Sequence, residues 1–194
     1  MNKYLILIFI LGLSTQSCDS GVQTKKKIKK DPVIQNSEEK PIVSPEAVPI
    51  VQDSLNVDLL LARGSEYYIN KDYEKAFNQF IAAYQIDEKN ITAILGVGNI
   101  YYDTQQNTKA IEFYQKALEL DPNKLDVRCD MATCYFRVGM LDKAIEINKK
   151  TIEMDFNHAQ SHHNLAVFYK NMGKQQEAEA EVKIYNQLIS SQQN

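Results

Sequence analysis

The sequence predicts an all-α fold, a solenoid of four helix-turn-helix units filling residues 57–194. Three observations carry this reading. Beyond position 56 the chain repeats itself every 34 residues, each unit holds two apolar-periodic stretches around a short break, and an aspartate recurs at the close of three units. Tyr67, Tyr101, Tyr135 and Tyr169 share the period, as do Ala76, Ala110, Ala144 and Ala178, the small residues Gly64, Gly98, Ala132 and Ala166, and Asp87, Asp121 and Asp155. A fixed spacing of this length marks a supersecondary unit that cannot bury its apolar face alone and therefore stacks on copies of itself.

The second unit shows why these residue types recur. Asn99-Ile100-Tyr101-Tyr102 precedes the break Gln105-Gln106-Asn107, and Ala110-Ile111-Glu112-Phe113-Tyr114 follows it, both at helical spacing. So short a connection makes the two helices antiparallel neighbours. They approach closely only where side chains are small, so Gly98, Ala110 and Ala117 are the expected contact points, with Tyr101 and Tyr114 filling the space between. Asp121-Pro122 ends the second helix, because proline cannot continue the hydrogen-bond ladder. Gly96-Val97-Gly98 lacks the third glycine and the preceding strand of a nucleotide loop, and its place inside a helical pattern makes it a packing feature.

These residues resemble the tetratricopeptide repeat (TPR). The unit 91–124 carries Ile94, Val97, Gly98, Tyr101, Ala110, Tyr114, Ala117 and Pro122 at the signature places. The unit 57–90 keeps Leu60, Gly64, Tyr67, Ala76, Phe80 and Ala83 but has Arg63 at a normally apolar place. The unit 125–158 keeps Met131, Ala132, Tyr135, Gly139 and Ala144, with Asn148, Thr151 and Phe156 where Phe, Ala and Pro are usual. The unit 159–192 keeps Leu165, Ala166, Tyr169, Gly173 and Ala178, then departs from the pattern through Val182 and Tyr185. The resemblance implies a right-handed superhelix whose concave groove is lined by the first helix of each unit, and a protein or peptide as the ligand.

The groove places implied by the resemblance hold Asp58, Leu61, Ser65 and Tyr68, then Thr92, Leu95, Asn99 and Tyr102, then Asp126, Cys129, Thr133 and Phe136, then Gln160, His163, Val167 and Lys170. Some family members clamp a chaperone's terminal carboxylate with lysine, arginine and asparagine. Here Asn99 alone fits, with Leu95 and Asp130 where Lys and Asn would be needed, so that clamp is not expected. The row Tyr68, Tyr102 and Phe136 either grips an extended or helical peptide or covers the helix below.

Residues 1–17 read as a signal peptide. Met1-Asn2-Lys3 is a short basic start, and the apolar run Tyr4 to Leu11 is too short to cross a bilayer comfortably. Leu13-Ser14-Thr15-Gln16-Ser17-Cys18 resembles a bacterial lipobox of the looser, Bacteroidetes-like kind, with Thr15 and Gln16 departing from the strict pattern. It implies cleavage ahead of Cys18 and acylation of that cysteine, hence an outer-membrane lipoprotein of the cell envelope. Two or more acyl chains anchor stably, at about 0.8 kcal/mol per buried methylene. An ordinary secretory signal that contains a cysteine is the alternative. Residues 18–56 then form a linker: Lys25-Lys26-Lys27-Ile28-Lys29-Lys30 and Pro32, Pro41, Pro45 and Pro49 disfavour a packed core, and a flexible chain of this length spans about 35 Å. The lysines either touch anionic head groups or serve a solvated spacer.

No catalytic arrangement stands out, because the carboxylates are spread along helix faces, so an enzyme is not expected, nor a cofactor. Residues 57–194 hold 15 Lys and Arg against 19 Asp and Glu, a net charge of −4, which argues against nucleic acid. Cys129 and Cys134 lie five apart on one helix, about 140° around its axis, and read as small buried hydrophobes. His158, His162 and His163 cluster near Cys129 one repeat earlier, without diagnostic metal spacing, and read as surface histidines. The last helix, about Gln175 to Ser190, must cap the solenoid. Its Val182, Tyr185, Leu188 and Ile189 exceed what the preceding helix consumes, which makes Tyr185, Leu188 and Ile189 a candidate interface for a partner or a second copy. A scaffold or adaptor is the first functional reading; a periplasmic chaperone accessory or an enzyme is the second.

Overall fold

The computed structural model describes residues 56–192; the expected signal peptide, Cys18 and all but the last residue of the expected linker lie outside the described residues. Eight helices and no strands are found among them: α1 (Val57–Ile69), α2 (Tyr73–Ile86), α3 (Ile91–Asp103), α4 (Asn107–Leu120), α5 (Leu125–Arg137), α6 (Leu141–Met154), α7 (Ala159–Asn171) and α8 (Gln175–Gln192). The first helices begin at 57, 91, 125 and 159, as the period predicts. The cap helix α8 runs slightly further than expected.

The turn inside each unit is built the same way four times. Lys71, Gln105, Gly139 and Gly173 all have positive φ, at +58°, +61°, +82° and +71°. One residue further, the backbone N–H of Asp72, Gln106, Met140 and Lys174 reaches back to the carbonyl of Tyr67, Tyr101, Tyr135 and Tyr169 at 2.8–2.9 Å. This closes the first helix with a left-handed residue and a six-to-one bond that satisfies an otherwise orphaned carbonyl.

The recurring aspartate has a cause that does not need proline. Asp87, Asp121 and Asp155 sit in extended backbone just past α2, α4 and α6. Each carboxylate accepts the N–H two residues on, from Lys89 at 3.0 Å, Asn123 at 3.1 Å and Asn157 at 2.9 Å. This local bond offers the backbone an alternative to another helical turn, so the chain leaves the helix whether or not Pro122 follows.

Packing runs from each helix to the next in sequence, with further contacts between α1 and α3 and between α5 and α7. First helices thus also touch across repeats, which puts them on the inner side of the curve. Phe80 of α2 is wedged between α1 and α3: a methyl group on Gly64 would sit 2.8 Å from its ring, and one on Gly96 only 2.4 Å. Tyr114 occupies the equivalent place in α4, against Gly98 at 3.0 Å. Ala76, Ala110, Ala144, Ala83 and Ala117 are fully buried, as the contact-point reading requires. Arg63 is exposed because no helix among the described residues packs on that side of the first unit, whereas its equivalents Val97, Met131 and Leu165 are buried against a preceding repeat.

Candidate functional site

The inner face joins its repeats through rungs from position twelve of one first helix to position thirteen of the next at the first two junctions, and to position ten at the third. Tyr68 donates its hydroxyl to Asp103 Oδ2 at 2.7 Å. Arg137 lays its guanidinium over the Tyr102 ring at 4.3 Å and donates to the Tyr102 carbonyl at 3.3 Å. Phe136 stacks on Phe168 of α7, with centroids 4.7 Å apart and planes 17° from parallel. The aromatic row therefore helps couple neighbouring units, and Tyr68, Tyr102 and Phe136 remain half-exposed toward the groove.

The other predicted groove residues divide. Leu95 packs against the core, and Asn99 accepts the Tyr114 hydroxyl at 2.9 Å. Thr133 donates to the Cys129 carbonyl and accepts from Asn164 Nδ2 at 3.3 Å. Asp126 is exposed and faces His158 Nε2 at 3.1 Å. His163 is exposed and its ring lies 5.2 Å from that of Tyr185. Cys129 does not line the groove: it is buried, its thiol held by Ser161 Oγ at 3.0 Å and donating to Asn148 Oδ1 at 3.3 Å.

Three charged residues of this face lie outside the four groove places per unit, and of these the sequence reading named only Asp130, as a mismatch to the carboxylate clamp. Asp103 and Arg137 follow directly on the aromatic row, at position thirteen. Asp130 lies at position six of α5, beside Tyr114, Tyr102 and Asp126. Its carboxyl has no hydrogen bond and no ion pair among the described residues; Arg137 acts on it from further off. Burial first, then the charge of Asp126, raise its pKa to about 6, with Arg137 opposing and Asp103 adding to the rise. The inner face thus holds a half-buried acid, only partly offset by Arg137, beside Tyr114, Tyr102 and Tyr68.

The histidines do not converge. His162 is buried, not at the surface: its Nδ1 lies 2.6 Å from Glu181 Oε2 and its Nε2 donates to the Phe156 carbonyl at 2.9 Å, because α8 folds over that face of α7. His158 Nδ1 meets Ser161 Oγ at 3.0 Å and Cys129 Sγ at 3.7 Å. No group of three metal-ligating side chains forms among the described residues. Asp126, His158 and Ser161 line up like a hydrolase triad, but Ser161 is fully buried within α7, and burial pushes the Cys129 thiol up to about 12. Neither group is exposed to a substrate, and the chain of bonds joins two repeats. Cys134 is buried and unbridged, its thiol likewise pushed up to about 12 by burial.

At the far end Tyr185, Leu188 and Ile189 are half-buried and Val182 is exposed. Part of the apolar surface expected to be free is therefore folded onto the preceding helix.

Comparison with known proteins fits this geometry. A family profile described as TPR repeat matches residues 98–139, and one described as Tetratricopeptide repeat matches residues 148–180. The chain carries tetratricopeptide repeats. Among solved structures, MamA from Desulfovibrio magneticus RS-1 is similar with a TM-score of 0.69 at 17% identity, covering 73% of this chain and 80% of that one. A crystal structure of MamA aligns with a TM-score of 0.68 at 23% identity, covering 72% and 82%, and MamA MSR-1 with 0.65 at 22%, covering 74% and 82%. At these identities the likeness establishes the TPR solenoid and not the partner. No curated protein matches the sequence significantly.

Proposed function

We propose that the protein is a non-catalytic scaffold, held at a cell-envelope membrane by lipid on Cys18, whose TPR groove takes an extended protein segment bearing lysine or arginine. The observation that carries the groove reading is Asp130. A partly buried carboxylate beside Asp126 and Asp103, without an internal partner, is costly to the fold and is relieved by a cation brought in from outside. Tyr68 and Tyr102 flank it with half-exposed ring surface, which suits the stem of a long cationic side chain. The anchor rests on the signal sequence and on Cys18, and the outer membrane is the destination this reading assigns.

Photo-crosslinkers at Thr133 and, as a control on the outer side, at Lys150 test the groove in cells. The reading expects crosslinks from position 133 that Asp130→Asn diminishes; crosslinks from position 150 alone would refute it. Cys18→Ser should move the protein from the membrane fraction to the soluble one, and an unchanged distribution would remove the anchor. A second contact through Tyr185, Leu188 and Ile189 belongs to the same proposal, supported by the exposed Val182 beside them. Sedimentation of parent and Val182→Glu at high concentration checks it, and a strict monomer in the parent excludes self-association.

A further inference from the structure

The three junctions between repeats are built from equivalent positions but not from equivalent chemistry. At the first, Phe80 fills the gap between helices, facing Gly64 and Gly96; at the second, Tyr114 does so, with its hydroxyl satisfied by Asn99. At the third the same position is Asn148, fully buried, whose Oδ1 accepts only a thiol and whose Nδ2 has no acceptor among the described residues. Opposite it, α7 presents Ser161 and Asn164 where α3 presents Ala93 and Gly96; α5 presents Val127 and Asp130 there, but the buried Tyr114 ring still fills the gap at that junction. Thr151, also fully buried, stands where Ala83 and Ala117 stand, and donates back to its own helix at Ile147.

We infer that the junction between the third and fourth repeats is the weak joint of the solenoid, where α7 and α8 part from α6 as one body while both sides stay folded. An interface that trades apolar filling for a polar network gains less from closing, and a partly satisfied network gains least. Directly between α5 or α6 and α7 the polar contacts are weak ones: Ser161 to the Cys129 thiol, Asn164 to Thr133 at 3.3 Å, and Lys149 over the Tyr169 ring at 5.9 Å. The Asp126–His158 contact at 3.1 Å and the His162–Phe156 bond at 2.9 Å end on the residues that connect α6 to α7. The stronger contact stays inside the departing body, where His162 holds Glu181 of α8 at 2.6 Å. The Phe136–Phe168 stack persists at the other end of the first helices, so opening pivots there. In a solenoid stability is a sum over units and junctions, so one poor junction localises the opening. The groove would thereby change its curvature at its last quarter to suit the bound segment, which goes beyond the choice of ligand argued above.

Thiol labelling of the intact chain, read separately at each cysteine by mass spectrometry, tests this, because Cys129 is buried at the joint against Asn148 and Ser161 while Cys134 is buried in the core away from it. The joint predicts that Cys129 is labelled about tenfold or more faster than Cys134. Asn148→Leu with Ser161→Ala should slow labelling of Cys129 by about tenfold and leave Cys134 unchanged. Equal labelling rates of the two thiols in the parent would overturn the inference whether or not the variant folds. So would a folded variant whose Cys129 labelling is not slowed.

Discussion

Tyr68 on α1 and Asp103 on α3 are joined by a 2.7 Å hydrogen bond that spans one repeat, and it ties the inner helices of the first two units together. Tyr68→Phe removes the hydroxyl and should cost about 0.5–1.5 kcal/mol, toward the low end because the bond is exposed. Burial first, then Asp103, raises the Tyr68 pKa well above the ordinary tyrosine value. A raised folded pKa gives stability that is complete below the unfolded pKa, about 10, and is lost as pH rises beyond it. Urea unfolding at pH 7 and above pH 10 should therefore show the gap between parent and Tyr68→Phe closing at high pH.

Gly96 should be the least replaceable glycine of the fold. Alanine there meets the Phe80 ring at 2.4 Å and forces a buried aromatic to move, at a cost of about 1–3 kcal/mol. Gly98→Ala meets Tyr114 at 3.0 Å and should cost less. Denaturation midpoints of the two variants check the order, and equal midpoints would contradict the wedged position of Phe80.

The four left-handed turn residues supply an internal comparison. Gly139→Ala and Gly173→Ala place a side chain in a conformation that costs about 1 kcal/mol, with open space around it. Lys71→Gly and Gln105→Gly relieve that strain and should raise or preserve stability, the gain offset by the greater freedom of glycine in the unfolded chain. Thermal unfolding of the four variants should separate into these two groups.

Asp130 should be a destabilising residue. Its pKa of about 6 in the fold lies above the ordinary 3.8, so the fold is favoured by protonation: that stability is complete below pH 3.8 and is lost as pH rises through 6. Asp126, Asp103 and Arg137 are the charged groups that act on it, together with the hydroxyls of Tyr114 and Tyr102. Asp130→Asn should accordingly stabilise the protein at pH 7 by at most about 3 kcal/mol, less for the part of the carboxyl that water reaches, and the gain should vanish near pH 4. Denaturation of both proteins across pH 4–8 checks the sign.

The period of 34 residues made the helices, their partners and the buried alanines readable, because packing imposes one residue size per position on every unit. The inner face was less readable. Asn99 and Thr133 sit at groove positions but spend their polar atoms on Tyr114 and on α5 and α7, a use that depends on how neighbouring repeats meet. Asp103 and Arg137 take their roles from residues one repeat earlier, which no single unit reveals. His162 looked like one of three surface histidines because Glu181, its partner, lies nineteen positions on, in the cap helix. Asn148 and Thr151 were legible only as departures from a pattern, and their cost became clear once they were seen buried and facing polar residues of α7.

The preference for basic segments proposed for the groove is tested most directly by titration of extended peptides. Fluorescence anisotropy of a lysine- and arginine-bearing peptide, and of the same peptide with those residues replaced by glutamate, should show binding of the basic peptide alone, weakened by salt. Asp130→Asn should lower that affinity by about tenfold, the loss of one desolvated charge contact. Equal affinity for both peptides, or unchanged binding of the basic one to the more stable Asp130→Asn protein, would contradict the assignment of Asp130 to the ligand.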